Sequence, residues 1–152
     1  MSHSSTLSEL LAAQIECSRS LVDILAEEHQ ALTGNDIDRL EQVCRTKAQA
    51  AQQLHQLGEK MAEHIPPSLK TAAVEALLGQ QRDGATLIQA WRELTGLARQ
   101  CSDANRVNGT LVEARETQIR KSLASLNPEG PAVYGRTGAS KTNLSGRLQL
   151  RA

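Results

Sequence analysis

The chain has 152 residues, 39% of them hydrophobic and 1% aromatic, and a formal net charge of zero. This length suits one domain, and so few aromatic rings exclude a thick globular core; Leu and Ala, both good helix formers, supply most of the apolar surface. The charge is uneven: residues 1–126 hold 13 Lys and Arg against 16 Asp and Glu (−3), whereas residues 127–152 hold four basic residues against Glu129 (+3), the wrong distribution for a nucleic-acid binder, whose folded part carries the basic face.

Thr6 followed by Glu9 has capping-box spacing, and Leu7, Leu10, Leu11, Ile15, Cys17, Leu21, Ile24, Leu25 and Leu32 then recur at helical intervals. The spacing predicts a first helix over about 6–33, ended by Gly34. Asn35 and Asp36 can cap a second helix over about 36–64, with Ile37, Leu40, Val43, Cys44, Leu54, Leu57 and Met61 on its apolar side. So short a link forces an antiparallel hairpin with arms of ~40 Å at 1.5 Å per residue.

Pro66 and Pro67 stop the second helix. Ser68 can cap a short helix over 68–78, closed by Gly79. A third long helix follows over 82–126, with Leu87, Trp91, Leu94, Leu97, Cys101, Leu111, Ile119, Leu123 and Leu126 along its seam. Between Cys101 and Leu111 the seam turns polar, with Asn105, Asn108 and Gly109 at structural positions. One expectation is that Gly109 admits a neighbouring backbone while the Asn side chains bond to loop backbone near Gly34. The other is that these residues fix helix register, as a buried Asn does in a coiled coil.

The resulting expectation is an all-α, elongated, antiparallel three-helix bundle or coiled coil over 1–126, with a flexible basic tail over 127–152. The third helix, at ~60–65 Å, outruns a ~40 Å hairpin, leaving Leu111, Val112, Ile119, Leu123 and Leu126 in want of a partner. The tail is rich in Gly but carries Leu144, Leu148 and Leu150, so it is expected to order on contact with a partner.

No grouping of residues points to catalysis. There is no nucleophile elbow and no phosphate loop, and His3, His29, His55 and His64 stand apart, so neither a metal nor a cofactor is expected. The segment His55 to Lys60 resembles a histidine phosphotransfer motif only loosely, because Gly58 stands where a Lys belongs. Cys17, Cys44 and Cys101 are widely spaced and read as small buried hydrophobes in a reducing compartment. The N-terminus has no basic-then-apolar leader, and no window reaches the ~18 apolar residues of a membrane span, so a cytoplasmic protein without membrane insertion is expected.

Several segments, taken in order, resemble the FlgN-type flagellar type III export chaperones. They are Leu10-Leu11, Glu28-His29-Gln30-Ala31-Leu32, Asp36-Ile37-Asp38-Arg39-Leu40 with Lys47, and Trp91-Arg92-Glu93-Leu94. Cys101, Asn105-Arg106-Val107-Asn108-Gly109-Thr110-Leu111 and the tail's Tyr134-Gly135-Arg136-Thr137-Gly138 complete the series. The Asn-x-x-Asn-Gly element between the Trp helix and the Tyr-Gly tail is the most specific of them.

The resemblance implies a non-enzymatic, cytosolic, helical chaperone, a monomer or weak homo-oligomer. It implies binding to the C-terminal helical segments of the hook–filament junction proteins FlgK and FlgL, and delivery to the export gate protein FlhA. Carried over by position, Leu111, Ile119, Leu123 and Leu126 with Leu144 and Leu148 form the substrate surface, and Tyr134 contacts the gate. The alternative on the residues alone is a structural helical adaptor, or a coiled-coil oligomer that buries Ile119, Leu123 and Leu126 against its own copy.

Overall fold

A computed structural model describes residues 3–127, with side chains from Thr6 onward. These residues form four helices, α1 (His3–Thr33), α2 (Ile37–Ala62), α3 (Thr71–Gly79) and α4 (Gly84–Leu126), with no strand among them. The fold is all-α. Among the described residues the chain divides into two units, the first ending at Leu111 and the second beginning at Val112.

In the first unit α1 and α2 form the expected hairpin, joined by a tight reversal. The Gly34 N–H makes the last α-helical bond, to Gln30 O at 2.8 Å, and the Asp36 N–H reaches back to Ala31 O at 3.0 Å, the six-to-one bond of a Schellman closure. The left-handed residue is Asn35 (φ 57°), not Gly34. Asn tolerates that conformation better than most side chains. Asp36 then caps α2, its carboxylate accepting from the Arg39 N–H at 3.1 Å.

Three local expectations are corrected. α1 begins at His3, so Thr6 lies inside it, and nothing among residues 3–5 breaks a helix. α2 ends at Ala62, where Glu63, His64 and Ile65 turn back onto Lys60 and Met61 before the prolines. Ser68 does not cap α3: Leu69 N–H closes a turn on Pro66 O at 3.1 Å, and the N-cap position falls to Lys70, which makes no side-chain cap.

The core is thin, as the scarcity of aromatics requires. Leu7, Leu11, Met61, Ile65, Val74, Leu78 and Leu87 form one cluster drawn from α1, the end of α2, α3 and the start of α4. Ile24, Val43 and Ala50 form a smaller one between α1 and α2. Cys17 is buried and Cys101 half-buried, and burial raises the pKa of both thiols. Cys44, expected inside, is exposed on α2, as is Ile37 at that helix's start. Cys44 follows buried Val43 by one residue and so sits 100° round the helix from it, and Ile37, six residues before Val43, is also turned off the packed side.

Two contacts add to the shared apolar cluster in holding α3 against α4. A Cβ on Gly84 would lie 2.8 Å from Gly79 O and 2.9 Å from Gly79 Cα, so the end of α3 meets the start of α4 backbone to backbone. Arg92 donates from Nε to Glu75 Oε1 at 2.7 Å and from Nη2 to Oε2 at 3.1 Å. Those hydrogen bonds hold the Glu75 carboxyl below its ordinary value; desolvation opposes them and the guanidinium charge adds to them.

Gly84→Ala is expected to lower stability by about 1–3 kcal/mol through overpacking. Gly109→Ala, where an added Cβ meets nothing within 4 Å, is expected to raise it by about 1 kcal/mol. Thermal denaturation of both variants checks the pair, and equal shifts would contradict the close approach. The sign for Glu75 follows from its lowered pKa: its contribution is present above the unfolded value, near 4.5, and is lost as pH falls through the folded one. The difference in melting temperature between native and Glu75→Gln protein is therefore expected to shrink below pH 4.5. A difference constant with pH would contradict this.

Candidate functional site

The polar interruption in α4 is a built cross-tie. Asn108 is 3% exposed and turns toward α1. Its Nδ2 donates to Leu25 O at 3.0 Å and to Glu28 Oε1 at 2.8 Å. With both amide hydrogens used, its Oδ1 accepts, so the His29 Nδ1 at 3.1 Å carries the hydrogen. Glu28 is 6% exposed, and Lys47 from α2 spans both its oxygens at 3.1 Å. The same Lys47 ammonium donates to Asn105 Oδ1 at 2.7 Å. Five side chains from three helices thus satisfy one another around a single buried carboxylate.

This arrangement decides between the two expectations for the Asn pair. Neither Asn bonds the loop near Gly34, and no backbone packs against Gly109. The pair instead ties α4 to α1 and α2 at one register. Sliding α4 by a turn would take Asn108 away from Leu25 O and Glu28 and leave a buried carboxylate short of donors. Trp91, further up α4, packs its ring on the larger core cluster, while its Nε1 has no hydrogen-bond partner.

Beyond the cross-tie, α4 carries the residues singled out for binding. Leu111 is half-buried in the first unit. In the second, Val112 is 41% exposed, Ile119 54%, Leu123 61% and Leu126 82%. Ile119, Leu123 and Leu126 follow at intervals of four and three, so they share one helix face. Glu116, one turn before Ile119 on the same side, reaches Arg120 at the edge of the face across 4.0 Å, both solvated. The result is an amphipathic helix whose apolar side is open. Leu144, Leu148 and Tyr134 lie outside the described residues.

Little else among the described residues offers chemistry. No group of three His, Cys, Asp or Glu side chains there could hold a metal, and no helix is long and apolar enough to cross a membrane. His55 is exposed beside Glu59, 3.2 Å away one turn on.

The profile of the FlgN protein family matches residues 1–142, which include both the cross-tie and the open helix face. The chain belongs to the FlgN family. A crystal structure of a flagella synthesis protein FlgN from Pseudomonas aeruginosa is similar to it with a TM-score of 0.66 and 31% sequence identity, covering 77% of this chain and 94% of that one. No curated protein matches the chain.

The sequence reading missed how central Glu28 and Lys47 are. Helical periodicity marks Glu28 as only another polar residue; what gives it away is the pairing of polar residues in three helices that ought to face one another. Lys47→Met is expected to destabilise the fold by about 3–5 kcal/mol, because Glu28 stays buried without its cation. Chemical denaturation measures this. A loss under 1 kcal/mol, the value of an exposed ion pair, would show that the carboxylate is not confined.

Proposed function

We propose that the chain is a cytoplasmic flagellar export chaperone whose α4 terminus holds its client. Membership in the FlgN family supports the flagellar assignment, and the observation that carries the client-binding role is the open face of Ile119, Leu123 and Leu126. By the resemblance, the clients are FlgK and FlgL, bound through their C-terminal helical segments. An amphipathic client helix lays its apolar side along this face, and burial of each Leu or Ile contributes about 1.5–3 kcal/mol. Leu111 extends the surface on α4, and Leu144 and Leu148 of the tail add apolar anchors once the client is present. Tyr134 meets the export gate protein FlhA, its ring and hydroxyl serving as one compact anchor. No catalytic step belongs to this role.

The cross-tie serves the same end indirectly. It confines α4 by polar contacts around residues 105–108, leaving its later turns free of any duty to the core.

Replacing both Leu123 and Leu126 with Asp is expected to abolish capture of FlgK in pull-down while circular dichroism stays helical. Tyr134→Ala is expected to spare FlgK and weaken FlhA. Undiminished FlgK capture by the double variant would refute the placement of the client surface, and parallel loss of both partners in Tyr134→Ala would refute the separate gate contact.

A further inference from the structure

The end of α4 is a helix that buries none of its own side chains. From Glu116 to Leu126, about three turns, every residue is exposed. Thr117 Oγ1 donates to Glu113 O at 3.0 Å, Arg120 Nη2 stands 4.0 Å from Glu116, and the Asn127 N–H closes on Leu123 O at 3.2 Å, all along the same helix. Upstream the contrast is plain: Leu87 is buried in the larger cluster, and Asn108 donates to Leu25 O of α1.

Tertiary packing supplies most of the stability of a helix in a folded protein, and a lone helix shorter than about 12–15 residues is marginal in water. The local sequence does not make up the difference. The last turn of α4 has no basic residue to offset the helix dipole. Thr117, Ser122 and Ser125 are weaker helix formers than Ala or Leu. The Thr117 hydroxyl bonds back to the carbonyl one turn earlier, which slightly weakens a helix further. The solvated Glu116–Arg120 pair adds only a small opposing contribution.

Ile119, Leu123 and Leu126 share a face only while these turns are helical. In an extended chain Ile119 and Leu123 point one way and Leu126 the other. We propose that in the free protein α4 unwinds and reforms from Glu116 onward, with the two forms about equally populated, and that the client binds the helical form alone. This regulation rests on the client surface proposed above. Part of the free energy of contact goes into fixing the helix, which lowers affinity and eases release.

Helix propensity distinguishes a preformed helix from one fixed on binding. In a preformed helix a change of propensity acts equally on free and bound protein and cancels from the affinity; in a helix fixed on binding it remains. Ala124 is exposed and lies about 140° round the helix from Ile119, away from the client side. Ala124→Gly shifts the equilibrium about fivefold toward the unwound form. From equal populations the binding-competent fraction then falls about threefold, and the Kd for FlgK, measured by calorimetry, is expected to rise by that factor. Ala13→Gly, at an exposed position of α1, is expected to leave it unchanged. In the free full-length protein the amides of residues 120–126 are expected to exchange within about tenfold of the rate of an unstructured peptide, and those of residues 87–108 far more slowly.

Amides of residues 120–126 as protected in the free protein as those of 87–108 would overturn the proposal. So would an Ala124→Gly protein that binds FlgK as tightly as the native one. The Leu123→Asp, Leu126→Asp double variant separates this from the client surface itself. If it loses FlgK while the free native protein keeps those amides protected, the client surface stands and the unwinding falls. If it captures FlgK undiminished, the client binds elsewhere, and selection of the helical form by the client falls with it.

Discussion

A single buried carboxylate governs how the long helices meet. Glu28 sits on the packed side of α1, where an apolar residue would cost nothing to bury. It is tolerable only because Lys47 reaches it from α2 and Asn108 from α4. Such a group stabilises less than a well-packed Leu would, but it penalises every misaligned arrangement heavily. With one aromatic-poor cluster at the α3 end and three buried residues in the other, apolar packing alone specifies register weakly. The polar cross-tie supplies what that core lacks.

This division of labour explains why α4 can carry two different surfaces. Up to Asn108 its inward positions are committed, first to Leu and Trp packing near α3 and then to hydrogen bonds on Glu28. After Leu111 the same helical repeat continues, but its apolar members are exposed. A helix held upstream by specific polar contacts does not need its last turns for stability. Those turns keep a Leu-rich face that water would otherwise select against.

Much of this was legible in the residues, and the failures have physical causes. The four helices follow from apolar spacing and from Pro66-Pro67, and the open stripe follows from the repeat continuing past Leu111. Local caps were less legible because competing residues stand side by side. Asn35 took the left-handed position next to Gly34, and Ser68 lost its capping role to a turn that the prolines impose. Cys44 shows the limit of periodicity: one residue from buried Val43, it faces solvent. The polar seam announced itself through Asn105 and Asn108, yet its partner was misplaced by about one turn and a half, from the Gly34 loop to Glu28. A buried acid is invisible until the lysine that neutralises it is known to lie opposite.

The open face at the end of α4 is the feature on which the functional reading stands. Amide hydrogen exchange along residues 112–126, measured on the full-length chain with and without FlgK, tests it most directly. Slowed exchange concentrated at Ile119 to Leu126 in the complex is the predicted result. Unchanged exchange in those turns, with protection appearing elsewhere on the chain, would contradict it.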